Sequence, residues 1–380
     1  MKLHEYQSKK LFNQIGIPIP RNKIIQRTEN VGHIFNQFGG TVLLKAQVLT
    51  GGRAKAGGIR LARTEYEAEN ITAFLLNSKI HDHPINKVMI EELIDFNEGY
   101  SVGIYFDRRN GIPELRGSPS TKFWQREKTY RSPLLDTFSL GIDPIIGIHT
   151  YKIRELAVSI GLEKRYWDNF IFIVEKMWDL FTRYDALMVE INPLAVKKEN
   201  GLIPLGVKIE VDDNSLFRQP EIEEFIDTTA YTAQENEAHK LGFSYLKLDG
   251  EIGCLVNGAG LAMATIDMIQ YFGGHPANFL DIGSGASAFK AAAGMRILSE
   301  DNQTKVILIN IFGGLTLCDQ IAEGIITQLE SANISQPLIV RMAGNHSENG
   351  KKLLEKMGVQ ITDTVQEAVR FCINYIGGNK

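Results

Sequence analysis

The chain reads as an α/β protein whose C-terminal part is a doubly wound parallel sheet, and three observations predict it. Residues 252–256 form a short apolar run of the kind that fits a strand buried on both faces. Gly258-Ala259-Gly260 turns that run directly into an apolar-periodic helix, and two more glycine turns stand at strand ends, Asp281-Ile-Gly-Ser-Gly285 and Asn310-Ile-Phe-Gly-Gly314. Beyond Leu248-Asp-Gly250 strand and helix alternate regularly, with strands near Ile252, Asn278, Val306 and Leu338 and a last helix over 365–376. In a parallel sheet the three turns converge on one crevice at the carboxyl ends of the strands. Each offers backbone N–H groups and the positive end of a helix dipole, which favours phosphate or carboxylate. A second reading stays beside this one. Gly258-x-Gly260 after a strand, with Asp281 about 20 residues on, matches part of a dinucleotide fingerprint. Its third small position is Met263, where helix–strand packing wants Gly or Ala.

Whole-chain properties bound the function. A length of 380 residues predicts two or three domains with ample core. The formal charge is 41 − 45 = −4, so no basic field argues for nucleic acid. Cys254, Cys318 and Cys372 are widely spaced without a C-x-x-C, and read as buried small residues in a reducing compartment. No stretch approaches the roughly 20 apolar residues of a membrane span, and the first helix carries no targeting pattern. The expected location is the cytoplasm, or the mitochondrial matrix for a mature form.

From the N-terminus, residues 3–15 predict an amphipathic helix with Leu3, Tyr6, Leu11 and Phe12 on its apolar side, stopped by Gly16, Pro18 and Pro20. A strand over 23–25 and a helix to about residue 38 follow. Residues 41–45 predict a strand ending in Lys45, and then comes the basic glycine-rich loop Gly51-Gly-Arg-Ala-Lys-Ala-Gly-Gly58. It lacks the G-K-[ST] ending of a Walker A loop. It reads either as a flexible hairpin or, with Lys45 adjoining, as a cover for phosphate. Residues 87–94 are a strand running into a connector, and 168–184 a strongly apolar helix. Residues 186–193 are a buried strand halted by Pro193, with Glu190 and Asn192 two apart and so on one face. An acid beside an amide is expensive to bury unless the two form a hydrogen-bonded structural pair or do chemistry. Residues 228–242 predict a polar helix joining the domains.

Val256-Asn-Gly-Ala-Gly-Leu-Ala-Met, Pro276-Ala-Asn-Phe-Leu-Asp-Ile-Gly and Val306-Ile-Leu-Ile-Asn-Ile-Phe-Gly-Gly resemble the C-terminal domain of the β subunit of succinate–CoA ligase. Met1-Lys-Leu-His-Glu-Tyr-Gln, the 51–58 loop, Glu190-Ile-Asn-Pro193 and Asp212-Asp-Asn-Ser-Leu-Phe-Arg-Gln-Pro220 extend the resemblance, in order, over essentially the full length. It implies an ATP-grasp domain over 1–235, then a flavodoxin-like doubly wound α/β CoA-ligase domain over 236–380. It implies ATP (or GTP) held by Lys45, Gly52, Arg53, Ala54, Glu91, the Ile94 backbone and Glu98, with Glu91 on the ribose. Asn192 is then a Mg2+ ligand, Glu190 the catalytic residue facing a partner's phosphohistidine loop, and Asn257, Gly314, Leu315 and Thr316 the contacts to a small dicarboxylic acid. CoA is the co-substrate. The nucleophilic histidine belongs to an α subunit, and none of the eight histidines here sits in an activating motif.

The sequence departs from the family at four places. Gly99 stands where a glutamate is expected, with Glu98 one position away. Gly206 stands where the second Mg2+ ligand is an aspartate, leaving Glu190 or Glu210 as substitutes. Leu317 replaces an arginine, and Gly117-Ser-Pro-Ser-Thr-Lys-Phe-Trp-Gln-Arg replaces a Thr-Glu-Gly-Gly loop. The departures at Gly99, Gly206 and the Thr-Glu-Gly-Gly loop support an alternative, a degenerate paralogue that binds a partner or nucleotide without phosphoryl transfer; the cation lost at Leu317 bears on acid selectivity. A dinucleotide-binding protein is the third reading; Met263 and the full-length resemblance count against it.

Overall fold

Helix α1 (Glu5–Gln14) forms because Ser8, Leu11 and Phe12, at i, i+3 and i+4, share one fully buried side, and because the Gln7 side chain accepts the His4 backbone N–H at 2.8 Å. Gly16, at φ +85°, ends it. The computed structural model describes residues 1–81, 83–119, 137–198, 201–332 and 334–377. Residues 120–126 of the replaced Thr-Glu-Gly-Gly region lie outside them. The chain divides into two units, Met1–Ala230 and Tyr231–Lys380, against an expected boundary after residue 235.

In the first unit, β1 (Asn22–Ile25), α2 (Val31–Gln37), β2 (Val42–Ala46), β3 (Ile59–Ala62), α3 (Glu65–Leu76) and β6 (Val88–Glu92) build a small antiparallel sheet of order β1-β6-β2-β3 with a core of its own. Between α3 and β6 lies the short pair β4 (Lys79–Ile80) and β5 (His83–Pro84). The 51–58 loop joins the paired strands β2 and β3, so it is the tip of a hairpin.

A second, six-stranded sheet follows, from β7 (Phe96–Asp107), β8 (Ile112–Ser118), β9 (Phe138–Gly141), β10 (Ala186–Lys197), β11 (Leu202–Pro204) and β12 (Val207–Val211). The helices α4 (Thr150–Ser159) and α5 (Trp167–Arg183) cover one face, where Phe170, Ile173 and Met177 pack on Val189, Ile191 and Ile104. Period-two alternation leaves Tyr105, Arg116, Glu190, Asn192 and Lys208 on the other face. Pro193 does not halt β10. The Asn192–Pro193 peptide is cis, and the register against β7 shifts between Ile191 and Leu194. The shift removes Pro193, which lacks an N–H, from that ladder and lets the strand continue.

After α6 (Pro220–Glu223) the expected 228–242 helix is broken. A short 3-10 turn covers Thr228–Ala230, and α7 (Ala233–Lys240) begins afresh. The cause is a reciprocal cap: Thr232 Oγ1 accepts from Glu235 N at 3.1 Å, and Glu235 Oε2 accepts from Thr232 N at 2.8 Å.

The second unit comprises β13 (Ser244–Lys247), β14 (Ile252–Val256), α8 (Ala259–Tyr271), β15 (Asn278–Asp281), α9 (Ala288–Ser299), β16 (Val306–Gly313), α10 (Cys318–Ser331), β17 (Leu338–Gly344), α11 (Ser347–Glu355), β18 (Gln360–Thr362) and α12 (Val365–Gly377). The sheet order is β13-β15-β14-β16-β17-β18, with β13 antiparallel to β15 and the remaining pairs parallel. The run β15-β14-β16-β17-β18 is the flavodoxin-like order 2-1-3-4-5. Alternate residues feed two cores: Leu255, Ile307 and Ile309 on one face, Ile252, Cys254 and Leu308 on the other. The edge strands β13 and β18 escaped the sequence reading. Cys254, Cys318 and Cys372 are free and buried, as expected, and burial pushes the Cys372 thiol up to about 12.

Candidate functional sites

The three glycine turns of the second unit meet at the carboxyl edge of the sheet, bound to one another by three buried or half-buried side chains. Asn257 Oδ1 accepts from Phe312 N at 2.9 Å, while its Nδ2 donates to Phe312 O at 2.9 Å and to Thr316 Oγ1 at 3.1 Å. Thr316 Oγ1 in turn accepts from Gly285 N at 2.9 Å. Asp281 Oδ1 accepts from Gly258 N at 2.5 Å and from Gly283 N at 2.8 Å. Gly258 and Gly283 have φ of +113° and +85°, which L side chains rarely adopt. Above the turns lies a cavity of about 520 Å³ lined by Asn257, Gly260, Ser284, Gly314, Leu315 and Thr316 among others, and among the described residues no charged side chain lines it.

The expected acid-binding residues Asn257, Gly314, Leu315 and Thr316 are thus brought together. Two expectations are corrected. The Gly258 N–H is not free for an anion, because Asp281 takes it. Asp281 is therefore engaged through Oδ1 in joining two of the turns. Met263, 57% exposed, is also no packing position; the buried neighbour Ala262 fills that place. A pair that spacing did not reveal stands at the same edge: His346 Nδ1 lies 2.7 Å from Asp319 Oδ2 and holds that carboxyl below its usual range.

In the first unit Lys45 is buried, and its ammonium reaches Glu5 Oε1 at 3.0 Å, Glu91 Oε1 at 2.5 Å and the Leu205 carbonyl at 3.0 Å. Glu5 also pairs with Arg53, and Lys9 pairs with Glu91 and lies 3.3 Å from Glu5. Burial alone would raise the Glu5 carboxyl, but Lys45, Arg53 and Lys9 draw it well below its ordinary value. Burial would lower Lys45, yet Glu5 and Glu91 hold it above. Both oxygens of Glu91 face lysines and the residue is 1% exposed, so it is placed inside this network rather than toward a ribose. Gly52 and Ala54 are exposed on the hairpin tip, and Ile94 is half-buried in the connector between β6 and β7. Glu98 accepts the Tyr100 hydroxyl at 2.9 Å.

On the open face of the six-stranded sheet, Asn192 Nδ2 donates to Glu190 Oε1 at 3.3 Å, with Lys208 Nζ 3.8 Å from Glu190 Oε2. The phenol of Tyr105 is raised above its ordinary value, by burial first and then by the Glu190 charge to which it bonds. Glycine at 103, opposite Glu190, makes room for that ring: a Cβ there would lie 2.6 Å from it. Gly206 pairs closely with the same segment. Its carbonyl accepts from Asn192 N at 2.8 Å, and a Cβ at 206 would fall 2.2 Å from the Asn192 carbonyl oxygen. A Cβ at Gly99 would lie 2.9 Å from Cβ of Pro193. Among the described residues no group of three His, Cys, Asp or Glu is placed to hold a metal. Glu190 and Asn192 do offer one carboxylate and one amide oxygen side by side, a donor set that suits Mg2+ only together with phosphate oxygens. Glu210, opposite Met188, forms a backbone β-bridge with Lys2 and is not part of the pair.

No helix among the described residues is long and apolar enough to cross a membrane. Residues 2–196 match the ATP-grasp domain family and residues 255–373 the CoA-ligase family. The chain is 38% identical over 372 residues to the β subunit of ADP-forming succinate–CoA ligase from Staphylothermus marinus, covering 97% of each chain. It is 39% identical over 379 residues to that of Bacteroides thetaiotaomicron, covering 98% of this chain and all of the relative. A solved structure of ATP citrate lyase from Methanothrix soehngenii, in complex with citrate and coenzyme A, superimposes with a TM-score of 0.74 over 98% of this chain and 99% of that one. At 17% identity that likeness speaks for the fold.

Proposed function

The chain belongs to the family of succinate–CoA ligase β subunits, and from that premise we propose that it works with an α-type subunit to convert a small dicarboxylic acid, CoA and ATP (or GTP) into acyl-CoA, nucleoside diphosphate and phosphate. The carrying observation is the cavity at the carboxyl edge of the second unit, where Asn257, Gly314, Leu315 and Thr316 converge. Backbone amides at the ends of parallel strands stabilise charge that develops on an acyl phosphate. The bonds of Asn257 and Thr316 hold the turns that present them.

The first unit would take the nucleotide. Lys45, Arg53 and the 51–58 hairpin supply cations and amides for phosphate. Mg2+, when bound, neutralises phosphate charge, and Glu190 and Asn192 are the residues that would hold it here. Glu190 is also placed to orient the imidazole of the partner's phosphohistidine. A hydrogen bond to one ring nitrogen fixes which of the two is nucleophilic. The three free cysteines suit a reducing compartment, cytoplasm or matrix.

The test is reconstitution. The isolated chain with ATP, Mg2+, CoA and succinate is expected to form no succinyl-CoA and to take up no label from γ-labelled ATP. Adding the α-type subunit should restore both, and Glu190→Gln should abolish labelling while the complex still forms. Turnover by the isolated chain would defeat the two-subunit reading. A complex that never labels would favour the paralogue without phosphoryl transfer.

A further inference from the structure

Helix α1 carries a carboxylate that no sequence signal marks for function, and its contacts single it out. Glu5 is 5% exposed, yet one carboxylate grips both cations assigned above to the nucleotide phosphates: Oε1 takes Lys45 Nζ at 3.0 Å, and Oε2 takes Arg53 Nη2. Lys9, one helical turn on and fully buried, bridges Glu5 to Glu91. Arg53 is pinned at its other nitrogen by the Ala46 carbonyl at 2.9 Å. A strand, a hairpin and a helix separated by 40 and 48 positions in the chain therefore share one anchor. We propose that Glu5 is the positioning residue of the nucleotide site, holding Lys45 and Arg53 in the geometry that phosphoryl transfer needs. The inference rests on the reading of Lys45 and Arg53 as phosphate contacts.

Two features argue for positioning rather than for simple stabilisation. Lys45 has three ammonium protons and three acceptors, Glu5, Glu91 and the Leu205 carbonyl. A phosphate oxygen can be taken only in exchange for one of them. The neutral carbonyl is the weakest of the three, since hydrogen bonds between ionised groups are about twice as strong. The two carboxylates then keep their hold while the third donor turns to the ligand. With all five groups ionised, moreover, the network of Lys9, Lys45, Arg53, Glu5 and Glu91 carries 3 − 2 = +1 charge. A buried cluster with surplus positive charge is matched by an anion arriving at its exposed edge, and Arg53, at 18% side-chain exposure, is that edge.

Charge and geometry pull in opposite directions in Glu5→Gln, and that makes the test discriminating. Loss of the carboxylate leaves more positive charge, so the dissociation constant for Mg–ATP, by calorimetry on the isolated chain, should stay level or fall. With Lys45 and Arg53 released from a common anchor, kcat of the complex with the α-type subunit should drop roughly 10- to 100-fold, the scale of a misplacement near 1 Å. Glu5→Asp, restoring charge one methylene short, should recover part of kcat. Arg53→Lys provides a second arm should Glu5→Gln fail to fold. Its compact ammonium keeps the charge but cannot hold the Ala46 carbonyl and Glu5 together, so kcat should fall by a larger factor than the Mg–ATP affinity does. Equal kcat in folded Glu5→Gln, or in Arg53→Lys, overturns the proposal. If Lys45→Ala leaves the Mg–ATP constant unchanged, the nucleotide-site reading fails instead; if it weakens binding while Glu5→Gln keeps full kcat, only the role of Glu5 falls.

Discussion

Restoring the family aspartate at position 206 looks, from sequence, like a repair that should tighten Mg2+ binding; the structure predicts damage. A Cβ on residue 206 would sit 2.2 Å from the Asn192 carbonyl oxygen, 3.1 Å from its carbon and 3.8 Å from Cδ of Pro193. Ordinary contact begins near 3.4 Å, so backbone must move by about 1 Å. Two bonds resist that movement, Asn192 N to Gly206 O at 2.8 Å and Leu205 N to Pro193 O at 2.9 Å. Overpacking costs about 1–3 kcal/mol, and losing one of these bonds about 1 kcal/mol more. Gly206→Asp should therefore destabilise the first unit by about 2–4 kcal/mol, and at about 2–4 °C per kcal/mol for a unit of this size its midpoint should fall by about 4–16 °C. Scanning calorimetry reads the midpoint and titration with Mg–ATP the affinity. Gly206→Ala isolates the steric part and should lose most of the same stability. A Gly206→Asp protein as stable as the parent, with tighter Mg2+ dependence, would refute the steric account.

Lys45→Ala removes one of the cations on Glu5 and Glu91, which keep Arg53 and Lys9, so stability should fall by about 1.5–3 kcal/mol, the scale of a lost hydrogen bond to a charged group; in the fraction that remains folded, the Mg–ATP constant should rise at least about tenfold. Urea midpoints and calorimetric titration separate the two effects. Gly99→Ala meets the Pro193 ring and should cost about 1–2 kcal/mol by urea unfolding; an unchanged urea midpoint would contradict the tight packing at this position. The pH profile of stability should decline on the acid side of neutrality, because burial lowers the folded pKa of His4 and protonation below its ordinary 6.5 then favours the unfolded chain. Glu5 has a depressed folded pKa, so its contribution is present above its ordinary 4.5 and is lost as pH falls through the folded value; Glu5→Gln should flatten that acid limb. Lys45, raised above 10.5, contributes below that value and loses its share as pH climbs through the folded pKa; Lys9, lowered by burial, acts in the opposite sense, so an alkaline limb unchanged in Lys45→Met would contradict the Lys45 pairing.

The parallel sheet could be read from sequence because strands buried on both faces are continuous apolar runs, and each glycine turn marks where a strand gives way to a helix. The cavity residues Asn257, Gly314, Leu315 and Thr316 were named by the family resemblance, and the topology explains why the turns that carry them meet at one edge. The charge network did not. A helical pattern identifies Leu3, Leu11 and Phe12 as inward and leaves Glu5 and Lys9 to solvent by default. Their burial depends on Lys45 and Glu91, partners 40 and 82 positions away, and no local pattern encodes such pairs. Pro193 misled for a related reason, because a proline stops a strand only where its missing N–H would be paired, and here a register shift removes that need. The break before α7 is a different case. Thr232-x-x-Glu235 is a capping box written in the sequence, and it outranks the polar periodicity that ran through it.

Gly99 and Gly206 are two of the departures that support a chain without phosphoryl transfer, and their placement changes what they mean. They approach the same two residues, Gly206 against the Asn192 carbonyl and Gly99 against the Pro193 ring. A decayed site accumulates changes without regard to one another; two glycines closing on one dipeptide are a packing solution. That packing fixes the backbone next to Glu190, which keeps its bond to Asn192 and its contact with Tyr105. What the chain gives up at position 206 is one carboxylate, and what it retains is the acid–amide pair beside which phosphate would lie. The functional question at this site thus narrows to whether Glu190 can both complete a Mg2+ shell and orient a partner imidazole. Glu190→Asp separates the two: a shorter carboxylate should weaken Mg–ATP binding if it ligates the metal, and should slow only partner labelling if it orients the imidazole. A variant unchanged in both would remove Glu190 from the mechanism.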